Sequence, residues 1–87
     1  MKKYREKLNQ IDDEIQRLFI ERMKLVKQIG KYKKENNIKV EDPSREKEMI
    51  DRIDIEDPLI KDLYIRVLTE MISVSKIYQV AIKEEVL

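Results

Sequence analysis

The sequence predicts an all-α chain of three helices, long, short and long, and three observations predict it. Helix-favouring residues dominate 87 positions that are 41% hydrophobic and 43% charged, with one glycine and two prolines. Apolar residues recur at spacings of three and four, without the alternation that marks a half-buried strand. Asp-Pro occurs twice, at Asp42-Pro43 and Asp57-Pro58. In each pair the carboxylate suits a helix N-cap, and the proline suits the first helical position, where its missing N–H costs nothing.

The first helix is expected from about Tyr4 to Lys34, with Asn36-Asn37 as its stop and Ile38 to Glu41 as a linker. Leu8, Ile11, Ile15, Leu18, Leu25 and Ile29 give it an apolar series, and Arg22 falls inside that series. A neighbouring row reads Ile15, Phe19, Arg22, Val26, Ile29, Lys33. Gly30, a poor helix former, is expected to permit close approach of another helix. The short helix is expected from Pro43 to about Ile53, with Glu46 in line with Met49, Ile50 and Ile53. The last helix is expected from Pro58 to about Glu85, with Leu63, Val67, Leu68, Met71, Ile72, Tyr78 and Ile82 as a broad apolar face. One row of that face reads Leu68, Ile72, Ser75, Gln79, Ile82.

The length predicts one small domain over residues 1–87, and the helix lengths predict how it assembles. At 1.5 Å per residue the long helices would measure about 45 and 40 Å. A compact monomer of this size has a radius of gyration of roughly 12 Å, so rods of that length fit it poorly. Burial against a second copy, in an intertwined homodimeric bundle, is therefore expected.

Composition removes several function classes. The formal net charge of +1 argues against nucleic acid as a partner. Without cysteine there is no disulfide framework, thiolate nucleophile or Cys-based zinc site, and without histidine the commonest general base and metal ligand are missing. One glycine is too few for a dinucleotide or phosphate-binding loop. No signal peptide is recognisable and no apolar run approaches the ~18 residues of a membrane span, so the chain reads as cytoplasmic.

What stands out is polar residues in apolar rows. Arg22 and Lys33 lie eleven residues apart, only about 20° from each other around the helix axis. Cations placed toward a core need partners. Snorkelling, or a salt bridge to Glu46 or Asp42, would answer for either alone. With Ser75 and Gln79 also set in an apolar row, the four describe a polar pocket for a small anion. Arg5 stands seventeen residues before Arg22, about 25 Å along the axis and about 100° around it, so one straight helix cannot bring both to one ligand. It is either an ordinary exposed arginine or a residue donated to another subunit's site. Asp42, Arg45 and Glu46 cluster at the start of the short helix, where capping and the helix dipole already suit both acids.

Taken in order, Tyr4-Arg5-Glu6-Lys7-Leu8 with Ile11-Asp12, Glu21-Arg22, Ile29-Gly30-Lys31-Tyr32-Lys33, Asp42-Pro43-Ser44-Arg45-Glu46, and Ile72 through Ser75 to Gln79 resemble the all-helical (type II) chorismate mutases. The resemblance covers nearly the whole chain and falls on the residues that break the apolar rows. It implies an intertwined dimer of three-helix chains with two equivalent sites, and rearrangement of chorismate to prephenate with no cofactor or metal. By position, it implies that Arg22 and a cross-subunit Arg5 hold substrate carboxylates. Lys33 would reach a carboxylate and the ether oxygen, and Gln79 would donate to that same oxygen. Ser75 would sit against a carboxylate, Glu46 with backbone near Asp42 would bind the ring hydroxyl, and Arg45 would complete a cationic wall. An isochorismate pyruvate lyase of the same fold and a non-enzymatic helical dimerisation module are the competing readings. The connection around Asp54 to Asp57 is short for the family, and Lys83 to Leu87 are expected to fray.

Overall fold

A computed structural model describes residues 1–84, and among them it is all-helical: α1 spans Lys2–Glu35, α2 Pro43–Asp51 and α3 Pro58–Lys83. The expected starts of α2 and α3 hold because their chemistry is local. Asp42 Oδ1 accepts from the Arg45 N–H at 3.2 Å, and Asp57 Oδ1 accepts from the Leu59 and Ile60 N–H groups at 2.9 and 3.0 Å. Each thereby satisfies amides that have no partner within the helix, while proline fills the next position.

Asn36-Asn37 ends α1 as expected. Asn37 adopts the left-handed conformation, φ 56°, that asparagine tolerates better than most residues. The Ile38 N–H then reaches the Lys33 carbonyl at 2.8 Å and the Asn37 N–H reaches that of Lys34 at 3.3 Å, the paired bonds of a Schellman motif.

Three boundaries differ from expectation. α1 begins at Lys2, two residues before Tyr4, with Met1 at its N-cap making no side-chain capping bond. α2 stops at Asp51, two residues before Ile53, because the chain tightens there: the Ile53 N–H bonds to the Ile50 carbonyl, three residues back, at 3.1 Å. α3 ends at Lys83 with Glu84 as its C-cap, so of the stretch expected to fray Lys83 is still helical, and residues 85–87 lie outside the described residues.

α1 and α3 pack side by side and run in the same direction. Arg22 meets Ser75, Gly30 meets Gln79 and Ile82, and Ile38 receives Lys83. Gly30 permits the approach as expected: a Cβ there would lie 3.2 Å from Ile82 Cδ1 and 3.5 Å from Gln79 Cα. The small core holds Val26, Leu68 and Ile82, and with them the polar Ser75 and Gln79.

The apolar rows are only partly used. Residues 1–21 are all exposed, and so are Leu25 and Ile29, so Ile15, Phe19 and Ile29 do not face this chain's core. Leu63 and Val67 on α3 are exposed too. The reason is geometric: α3 reaches only the C-terminal half of α1, which leaves the first half a free rod. The chain measures 50 × 27 × 14 Å, with a radius of gyration of 15.8 Å, well above the roughly 12 Å of a compact chain of this size.

Candidate active site

Between the C-terminal halves of α1 and α3, closed at one side by α2 and its linker, lies a cleft of about 320 Å³. That is the lower end of the range for small-molecule sites. Of the eight residues singled out from the sequence, seven line it: Arg22, Lys33, Asp42, Arg45, Glu46, Ser75 and Gln79. The eighth, Arg5, is exposed near the start of α1 and does not line it.

Each wall places its polar groups by a local cause. On α1, Arg22 and Lys33 flank the buried Val26, so the packing that buries the valine carries both cations into the cleft. Among the described residues neither forms a salt bridge with a carboxylate. Arg22 Nη1 donates to Ser75 Oγ, and Ser75 Oγ donates to the Met71 carbonyl at 2.7 Å. A hydroxyl has one proton, so Ser75 spends it on its own helix and offers Arg22 a lone pair. The two bonds tie the guanidinium to α3. Lys33 Nζ donates to the Val40 carbonyl at 3.1 Å, which holds the linker against α1 and leaves two further N–H donors.

On α3, Gln79 is only 8% exposed, and its Oε1 has no hydrogen-bond partner among the described residues. A buried amide oxygen without a partner is costly unless a ligand, a water or a second chain completes it. On the opposite wall the Asp42 carboxyl is held below its ordinary value. The Arg45 N–H contributes most, followed by the Ser44 hydroxyl at 3.1 Å, with smaller help from the Lys33 ammonium. Arg45 turns its guanidinium to Glu48 Oε1 at 3.1 Å, on the exposed side of α2. Capping and surface pairing thus engage both residues, although both still border the cleft.

One charged cleft residue escaped the sequence reading. Lys76 Nζ stands 3.1 Å from Glu41 Oε2 and 3.4 and 3.5 Å from the two oxygens of Glu46. Glu46 was the available signal: a carboxylate in line with Met49 and Ile53 calls for a cation on the facing helix. Lys76 lies only about 60° around the axis from Gln79. The hydrogen bond to Glu41, then the charges of Glu41 and Glu46, hold the Lys76 ammonium above the ordinary lysine value.

Among the described residues, no group of three or more metal-ligating side chains forms, and no helix is long and apolar enough to cross a membrane. What the fold and cleft define is a helical scaffold with a polar cleft: cations from one helix face an amide from another, and a carboxylate closes the end. Residues 4–80 match the family of type II chorismate mutases, and the chain belongs to that family. It is 42% identical over 53 residues to the bifunctional chorismate mutase/prephenate dehydratase of Aquifex aeolicus (strain VF5). The aligned part is 61% of this chain and 15% of that relative's length. No solved structure matches the chain significantly.

Proposed function

We propose that this domain converts chorismate to prephenate, in a homodimer whose two clefts each receive Arg5 from the other copy. One observation carries the reading: Arg22, Lys33, Glu46 and Gln79, from three different helices, converge on a single cleft of about 320 Å³. Family membership supports the same reaction. The exposed apolar series on α1 from Leu8 to Leu25, interrupted at Arg22, supports the dimer, since it is a seam left uncovered by the other described residues.

The rearrangement is intramolecular. A C–O ether bond breaks while a C–C bond forms, so neither nucleophile nor proton transfer is obligatory. The protein has to hold a flexible dianion in its reactive shape, a problem of positioning. Arg22 and the partner subunit's Arg5 take the carboxylates, and Ser75 fixes the angle at which Arg22 presents its fork. Lys33 and Gln79 donate to the ether oxygen, where negative charge grows in the transition state and where fixed donors act most strongly. Glu46 accepts from the ring hydroxyl, with the Asp42 backbone beside it and Arg45 completing the cationic rim. A chain without histidine or cysteine supplies all of these parts.

Loss of chorismate absorbance at catalytic protein concentration, with prephenate as the product, tests this. Formation of salicylate from isochorismate instead would reassign the cleft to pyruvate elimination. Arg22→Ala and Lys33→Ala should each lower kcat/KM by at least about 100-fold, as removal of a single hydrogen-bond donor to developing negative charge does elsewhere. Near-wild-type kinetics in either variant would overturn the assignment of the site.

A further inference from the structure

We propose that Lys76 is a positioning residue for this site: it holds the Glu46 carboxylate in place and acts on the substrate only through it. The inference rests on the mutase reading and adds a residue to it. Its ground is geometric. The Lys76 ammonium sits between α3, the linker and α2, 3.1 Å from Glu41 and nearly equidistant, at 3.4 and 3.5 Å, from both Glu46 oxygens. A cation facing both oxygens fixes the plane of the carboxylate as well as its place.

The two carboxylates are not equivalent partners. The Glu41 side chain is 67% exposed, so water and salt screen its attraction, whereas those of Glu46 and Lys76 are 32% and 29% exposed. A half-buried carboxylate without its cation would swing toward water, away from Gln79 and Lys33. α2 has nine residues, too few to hold a helix by its own hydrogen bonds, so its seating depends on what ties it to α3. Lys76 provides that tie next to the catalytic wall, one residue beyond Ser75 and three before Gln79.

Glu46 grips the hydroxyl, a group that does not react, so its placement bears on binding more than on the chemical step. Lys76→Met should therefore raise KM about tenfold, the size of one hydrogen bond to a charged group, while kcat changes less than about threefold. Lys76→Arg should restore KM. In the Glu46→Gln background, Lys76→Met should add nothing, because the group it acts through is already altered.

A purely structural role would lower thermal stability without this non-additivity, and additive losses in the double variant would overturn the inference. So would an unchanged KM in Lys76→Met. Glu41→Gln provides a second reading that leaves the Lys76 side chain intact. It frees the ammonium for Glu46, so KM should stay at or below the wild-type value, and a raised KM would show that Lys76 serves the linker instead. A wild-type protein that turns over no chorismate would overturn the mutase reading and this inference together. Turnover with additive variants would overturn this inference alone.

Discussion

Gln79 brings to the cleft a donor that needs no proton of its own. A carboxamide N–H donates at any physiological pH, whereas a glutamate at the same place donates only while protonated. Wild-type kcat/KM should therefore change little between about pH 6 and 8, and Gln79→Glu should lose activity as pH rises through that range. A flat profile in the variant would remove Gln79 from the ether oxygen. Arg22, Lys33, Ser75 and Gln79 were readable from sequence for one reason: each interrupts an apolar row, and a polar group in such a row has to find a polar partner. Asp42 and Arg45 carried no such signal, since capping and exposed pairing already engage them. Lys76 went unnoticed because it stands at the edge of the α3 stripe rather than within a row, and lysines at such edges usually lie along the surface.

Helix starts follow from residue chemistry, but the orientation of a helix face follows from what lies opposite. Asp42-Pro43, Asp57-Pro58 and Asn36-Asn37 mark boundaries because capping and the left-handed turn involve only near neighbours. The end of α2 has no comparable marker; a tightened turn at Ile53, led toward Asp57, sets it. The spacing of apolar residues on α1 likewise could not show that only the half from Arg22 onward meets α3. Gly30 is where that contact is closest. In Gly30→Ala the tip of Ile82 must yield by a few tenths of an ångström, while helix propensity improves by about 1 kcal/mol. Urea denaturation should place the variant within about 1 kcal/mol of wild type. Gly30→Val, with two more methyls against Gln79 and Ile82, should cost about 1–3 kcal/mol and separate the cleft walls. A fully stable and active valine variant would show that the contact has slack.

At the scale of the whole molecule, the proposed site needs residues that one chain cannot bring together, since Arg5 stands about 25 Å along α1 from Arg22. Complementation tests this directly. Arg5→Ala and Lys33→Ala proteins, each inactive alone, should recover about a quarter of the wild-type rate after being unfolded and refolded together. Random pairing makes half the dimers mixed, and each mixed dimer has one site with both residues intact. No recovery would exclude a site shared in this way. Leu18→Asp, placed in the exposed seam of α1, should abolish association at micromolar concentration in sedimentation, and activity with it. The bare first half of α1 also has a temporal consequence. In the proposed dimer that rod gains its packing only when two chains meet, which gives folding a second-order step, so activity should return faster at higher protein concentration during refolding. Helix content, which each chain forms for itself, should return earlier and at a rate less sensitive to dilution.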